Sequence, residues 1–258
     1  MFVWLLWIAI ALCEYSWANS AIAQISPDTT LPNNSIVTPQ GNILNITGGT
    51  TVKNNLFHSF QQFSVPTGGT AFFNNALDIS NIISRVTGNS ISNIDGLIRA
   101  NGSANVFLLN PNGIIFGNNA SLNVGGSFVG STANAIQFGT LGIFSATTPN
   151  APTPLLTINP SALLFLQPSP AAITSSSTAP AGVNLAGIEV TGLRVPDGRS
   201  LLLVGGDVNI NGGSLRAYNG RIELAGLAAP GNKAIEIIPA TGWVFNGKGE
   251  VTLISSAQ

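Results

Sequence analysis

Charged side chains are scarce in this sequence. Nine Lys or Arg, ten Asp or Glu and one His make up 7% charged residues (DEKR) in 258 positions, against roughly 25% in an ordinary globular protein. Such a chain has no overall basic footprint for nucleic acid or an anionic membrane. Cysteine occurs once, at Cys13, so no disulfide can form within one chain, and burial and hydrogen bonding must hold the fold. The single histidine, His58, sits in NNLFHSFQQF among Phe57, Phe60 and Phe63 with no relay partner beside it, which reads as a packed residue rather than a base. Without paired His, a second Cys or a local carboxylate cluster there is no metal site of familiar spacing, and no cofactor is expected. Gly205-Gly206-Asp207 lacks the GGxGxD order of a calcium-binding turn and reads as a corner. Helical periodicity is missing too: no stretch after residue 23 sustains it for three turns.

Glycine (29) and asparagine (28) are abundant instead, so amides and hydroxyls must supply solubility. The chain opens with an apolar run from Phe2 to Cys13 followed by Ala21-Ile22-Ala23, the pattern of a secretory signal cut after Ala23. Twelve apolar residues are fewer than the roughly 20 of a spanning helix. Cleavage leaves nine acidic and nine basic side chains.

Short runs rich in Val, Ile, Leu, Phe and Thr, closed by Gly or Asn, recur after the signal. They are Asn42 to Ile46, Asn105 to Leu109, Ile114 to Phe116, Ser121 to Val124, Leu201 to Val204, Asp207 to Ile210, Ser214 to Ala217 and Arg221 to Leu224. These are strand and turn signals, and the fold is expected to be all-β. GGTxxxNN occurs at Gly48 and again at Gly68, and Gly96-Leu97-Ile98-Arg99-Ala100 is echoed by Gly213-Ser214-Leu215-Arg216-Ala217. Repeats of about 20 residues mark a solenoid, here a parallel β-helix whose strands pair with equivalents one coil above and below. Asn and Gly suit its corners, because they tolerate left-handed backbone and because Asn side chains can bond along the axis. Within each strand, alternation is expected to send one residue into the core and the next to water. The segment TTPNAPTPLLTINPSALLFLQPSPAAITSSSTAPAG, 147–182, departs from this pattern. It reads as an extra-helical insertion with strands at Leu155 to Ile158 and Ala162 to Leu166, then a mobile loop.

NNLFHSFQQFSVPTGGTAFFNN (54–75), ISRVTG (83–88) and ANVFLLNPNGIIFG (104–117) together resemble the N-terminal secretion domain of filamentous haemagglutinin-like exoproteins of two-partner secretion. The resemblance spans about residues 30–145, and VGGDVNINGGSLRAYNGRIELAG (204–226) is similar to the coils that follow in such proteins. Asn110-Pro111-Asn112-Gly113-Ile114 matches the NPNGI signature and is the most specific part of it.

The resemblance implies a right-handed, single-stranded parallel β-helix with an N-terminal cap. It also implies export through the periplasm of a Gram-negative-type cell, recognition by an outer-membrane barrel transporter through the Asn110 to Ile114 segment, and an adhesin-like, non-enzymatic role at the cell surface. Surface carbohydrate or protein of a host or neighbouring cell is the other implied partner. The expected organisation is signal 1–23, secretion domain 24–146, insertion 147–182 and further coils 183–258. Where the family has a second signature, NPNL, this chain has Asn75-Ala76-Leu77-Asp78. Two alternatives stay open. A polysaccharide-active β-helix enzyme needs two or three carboxylates gathered on one face. A self-associating surface scaffold needs an exposed terminal strand.

Overall fold

The computed structural model describes residues 24–227, 233–240 and 242–246. The signal segment and the closing GEVTLISSAQ lie outside the described residues, and every regular element among those described is a strand.

The chain winds repeatedly through three faces. The first stacks Asn55–Phe63, Asn81–Val86, Asn105–Leu109, Phe128–Ser131, Ser200–Gly205 and Arg221–Gly226, all paired in parallel. The second stacks Ser92–Ile94, Ile114–Phe116, Ile173–Ser175 and Val208–Ile210. The third stacks Ile43–Gly48, Thr70–Phe73, Leu97–Ala100 and Ser121–Asn123, and resumes with Leu193–Arg194 on Leu215–Arg216. Visiting the faces in this order makes each turn one coil of a parallel β-helix. Two antiparallel strands cap the N-terminal end, Ile25–Pro27 on the first face and Ser35–Gln40 on the third. Pro27 and Pro39 cannot donate to a further strand, which blunts these edges against pairing with another chain.

Leu56, Ile82, Val106, Phe128 and Leu201 lie one above another inside the coils, all buried. The expectation that alternate residues meet water fails on the first face. Its outward column, Phe57, Ile83, Phe107, Val129 and Leu202, is equally dry. An antiparallel sheet outside the helix covers it, in the order Ile143–Ser145, Ala135–Gln137, Ala162–Phe165, Lys233–Ala240, Gly242–Asn246. Phe57 meets Phe138 and Phe144 there, at 5.7 and 4.9 Å between ring centroids. Each large side chain so buried contributes roughly 1.5–3 kcal/mol. Strands buried on both sides have continuous apolar runs, which is why NIISRV and SLLLVG do not alternate.

Several local expectations change. Coils are 26, 24 and 22 residues apart, read down the column Asn55, Asn81, Asn105, Ser127. The two GGT copies are not equivalent rungs, since Thr50–Val52 folds back antiparallel on Asn55–Phe63 whereas Thr70–Phe73 is a third-face strand. The GLIRA and GSLRA echoes do fall on the third face. Left-handed asparagine is rare, with Asn219 alone among the described residues; the corner asparagines act through their side chains. Leu155 to Ile158 forms no strand, although Leu156 is buried. Within 147–182, Ala162–Phe165 belongs to the outer sheet and Ile173–Ser175 is a rung of the second face.

Asparagines head the first-face strands and form a ladder along the axis. Asn81 Nδ2 donates to Asn55 Oδ1 (2.8 Å), Asn105 Nδ2 to Asn81 Oδ1 (2.9 Å), and Ser127 N to Asn105 Oδ1 (2.9 Å). Asn55 Nδ2 also holds the carbonyls of Leu156 and Ile158, which ties the outer segment to the ladder.

His58 is 1% exposed, stacked near Phe60 and Phe73, with Nδ1 2.9 Å from Ser35 Oγ of the cap. Ser35 Oγ accepts the Ser59 N–H, leaving its proton for a neutral imidazole. Burial pushes the His58 pKa from 6.5 down to about 3. The folded state therefore disfavours the charged ring; His58 leaves stability intact above pH 6.5 and lowers it as pH falls toward 3, at up to about 1.4 kcal/mol per pH unit. Urea midpoints should fall between pH 6.5 and 4.5, and His58→Gln should flatten that dependence. An unchanged pH profile in the variant would assign the acid sensitivity elsewhere.

Candidate functional site

The NPNGI segment makes the corner between the first and second faces in the third coil. Asn110 ends the first-face strand, Gly113 N donates to Asn110 O (3.1 Å), and Ile114 starts the second-face strand. Pro111 presets the turn, and Gly113 has φ +120°, where a side chain would be strained.

The side chains of the corner reach upward to the coil before. Asn110 is fully buried; its Nδ2 donates to Ser90 O and Ser92 Oγ, both at 2.9 Å. Its Oδ1 accepts from Asn112 N and Asn112 Nδ2, both at 3.0 Å. Asn112 Nδ2 also donates to Gly88 O at 2.7 Å. Gly88 closes ISRVTG, so the two motifs singled out in the sequence meet, and a Cβ on Gly88 would lie 2.1 Å from Gln61 O. Below, Asn110 N donates to Ser131 O and Ile114 N to Ala172 O, so the chain leaves for the outer sheet and returns directly beneath this corner.

Pro111, Gly113 and Ile114 are buried and Asn112 is half-buried. The surface that the corner presents is made mainly by its neighbours, Asn89, Ile91 and Ile115, which are exposed. The arrangement holds no base, nucleophile or carboxylate; what it offers is shape and amide hydrogen bonding.

The sequence and the fold both find matches among known proteins. The sequence matches the TPS secretion domain family over residues 23–248. The chain belongs to that family. Its fold is similar to the HMW1 secretion domain from Haemophilus influenzae, with TM-score 0.61 and 20% identity over 88% of this chain and 50% of that one. This TPS domain thus spans about half the length of that structure. The filamentous hemagglutinin secretion domain also matches, with TM-score 0.42 and 13% identity over 78% of this chain and 96% of that one. No curated protein matches significantly.

Within the TPS domain, Asn75-Ala76-Leu77-Asp78 forms the corner from the third face to the first. Buried Asn75 receives Asn101 N on Oδ1 (2.9 Å) and donates from Nδ2 to Ala76 O (2.9 Å), while Leu77 is exposed. Asp95 clasps the remaining corner, accepting from Thr67 Oγ1, Asn119 N and Asn119 Nδ2. Partial burial raises its pKa, but these bonds outweigh that and hold it below the ordinary value.

Sequence reasoning missed Arg85, the centre of ISRVTG. It is wholly buried between the first face and the outer sheet, with its guanidinium 4.1 Å over Phe144. Nε donates to Ser59 Oγ, Nη2 to Thr30 Oγ1, and Nη1 to the carbonyls of Ser145 and Asn150. The Ser59 and Thr30 hydroxyls donate in turn to Asp28, whose carboxylate also accepts from Thr87 Oγ1. Burial pushes the Arg85 pKa down to about 10, opposed by the Asp28 charge, so it stays cationic at neutral pH. Burial raises the Asp28 pKa, and the hydroxyl bonds outweigh this and hold it below the ordinary value. A lone Arg in an apolar strand of a charge-poor chain was the available signal.

Arg85→Met should cost about 2–3 kcal/mol in urea unfolding, because the carbonyls of Ser145 and Asn150 and the hydroxyls of Ser59 and Thr30 lose their donor in the interior. Asn110→Ala should cost at least about 2 kcal/mol by the same measurement, since the Ser90 carbonyl and the Asn112 amide lose buried partners. A loss under half that for either variant would mean that water or a neighbour satisfies the orphaned groups.

Proposed function

We propose that this TPS domain is an N-terminal targeting module that an outer-membrane barrel transporter recognises in the periplasm and exports to the cell exterior, as part of an adhesin-like, non-enzymatic exoprotein. The observation that carries this reading is the corner where Asn112 of NPNGI bonds Gly88 of ISRVTG. The motif serves as scaffold: buried Asn110, Pro111, Gly113 and Ile114 set the corner, and Asn89, Ile91, Asn112 and Ile115 are what a partner touches. On this reading residues 24–146 carry the recognised module, after removal of residues 1–23.

Coil stacking suits export without nucleotide energy. Each parallel rung needs the preceding rung as a template, and the cap at Ile25–Pro27 and Ser35–Gln40 supplies the first one. Among the described residues no three His, Cys, Asp or Glu gather as a metal site would require. Asp28, Asp95 and Asp197 already serve the buried network, a corner and an ion pair.

The test is secretion with a co-expressed cognate transporter. Deletion of Asn110 to Gly113 should abolish secretion, and the surface pair Ile91→Asp/Ile115→Asp should reduce it severalfold with thermal midpoint and circular dichroism unchanged. Normal secretion of the deletion would remove the motif from the mechanism; normal secretion of the surface pair would move recognition to another face.

A further inference from the structure

Five asparagines in this chain precede a glycine: Asn101, Asn112, Asn211, Asn219 and Asn246. Asparagine is a thermolabile residue, and a following glycine has no side chain to shield its nitrogen from the asparagine's own amide. By sequence the five pairs are chemically alike. Gly247 lies outside the described residues, so the fold can be compared at four of them, and it treats those four unequally.

Three pairs are restrained. Asn112 Nδ2 is bound to Gly88 O and Asn110 Oδ1, and Gly113 is buried with its N–H donated to Asn110 O. Asn101 Nδ2 is bound to Asn74 Oδ1 and Asn75 O, and Leu77 packs 3.2 Å from where a Cβ on Gly102 would lie. Asn219 has a left-handed backbone, φ 52°, and Gly220 N donates to Ala217 O within the same turn. Asn211 has none of these restraints. It lies at the corner from the second face to the third, after Val208–Ile210 and before Leu215–Arg216, and both it and Gly212 are exposed. Among the described residues no hydrogen bond holds the Asn211 side chain or the Gly212 N–H, and a Cβ on Gly212 would meet nothing within 4 Å. Only the frame of the corner is fixed: Asn211 N donates to Ser175 O at 2.8 Å, and Ser214 N to Ser177 O at 3.0 Å.

We propose that Asn211 is a site of spontaneous deamidation, and that the folded NPNGI corner shields the chemically similar pair Asn112-Gly113 from the same reaction. Gly212 N attacks Asn211 Cγ and forms a C–N bond. Ammonia leaves with the side-chain nitrogen and the Gly212 proton, and a succinimide ring remains. Solvent water then opens the ring: attack at Cγ gives aspartate, and attack at the main-chain carbonyl gives isoaspartate, whose backbone runs through Cβ and Cγ. Both products add a negative charge to the corner. Isoaspartate also inserts a methylene into the main chain between the two bonds that fix the corner to the preceding coil. Gly213 leaves no room for the extra length, since even a Cβ there would lie 2.7 Å from Ser177 N. The rung Leu215–Arg216, which begins directly after Ser214, is therefore loosened.

The experiment incubates the purified chain at pH 8.5 and 37 °C, folded or in 8 M urea, and follows each Asn-Gly pair by peptide mass mapping. In the folded chain the segment carrying Asn211 should gain about one dalton at least about tenfold faster than those carrying Asn101, Asn112 and Asn219. In urea, Asn112 and Asn211 should react within about threefold of each other, because the bonds that separate them are gone. Trypsin should cut the aged folded chain after Arg216 severalfold faster than the fresh chain. Asn211→Gln aged in parallel should show neither change, and fresh Asn211→Asp, which carries the charge without the extra methylene, should resist trypsin as the fresh chain does. Earlier reaction at another of these pairs in the folded chain, or the same spread of rates in urea as in the fold, would overturn the site. Unchanged cleavage after Arg216 in a chain shown to carry isoaspartate would overturn the loosening. The assay contains no transporter, so it stands or fails independently of the secretion reading.

Discussion

Each coil of this protein passes its backbone hydrogen bonds to the coils above and below it, and the rest of the structure depends on that vertical pairing. A rung out of register would leave amides unpaired in a dry interior. Register is held at the corners by asparagine and aspartate side chains that reach one coil along the axis. Asn55, Asn81 and Asn105 head the first-face strands; Asn110 and Asn112 hang from Gly88 and Ser92; Asp95 ties Thr67 to Asn119. A chain poor in charge can be well ordered because these amides do what salt bridges cannot do cheaply in a buried ladder.

The first face carries a second constraint. It is dry on both sides, so the outer sheet belongs to the core and cannot be stripped off without exposing Phe57, Ile83 and Phe107. Arg85 crosses this layer. Its guanidinium joins the second coil to the outer segment through Ser145 and Asn150, and through Thr30 and Ser59 to Asp28 beside the cap. Cap, coils and outer sheet are thereby locked by one buried charge network, a specific arrangement that apolar packing alone would not select.

The scaffold leaves some of its surface free. The first face is covered, while the corner of Ile91 and Ile115 and the rungs of the third face at Arg99 and Asn123 remain open. The two lie on different sides of the helix and carry different chemistry, apolar and amide at the corner, cationic and aromatic on the third face.

The all-strand character, the inward apolar columns and the NPNGI corner were legible in the sequence, because each depends on alternation or turn chemistry within a few residues; the solenoid was legible through the GLIRA and GSLRA echo and the family resemblance, and not through the GGT spacing. Asn105–Leu109 and Ile114–Phe116 were delimited to the residue for that reason. The cover over the first face, the rung at Ile173–Ser175, the meeting of ISRVTG with NPNGI and the role of Arg85 were decided only in three dimensions. Each joins residues tens of positions apart, and coil lengths varying from 22 to 26 residues with a 73-residue step between Ser127 and Ser200 leave no fixed period from which such neighbours could be counted.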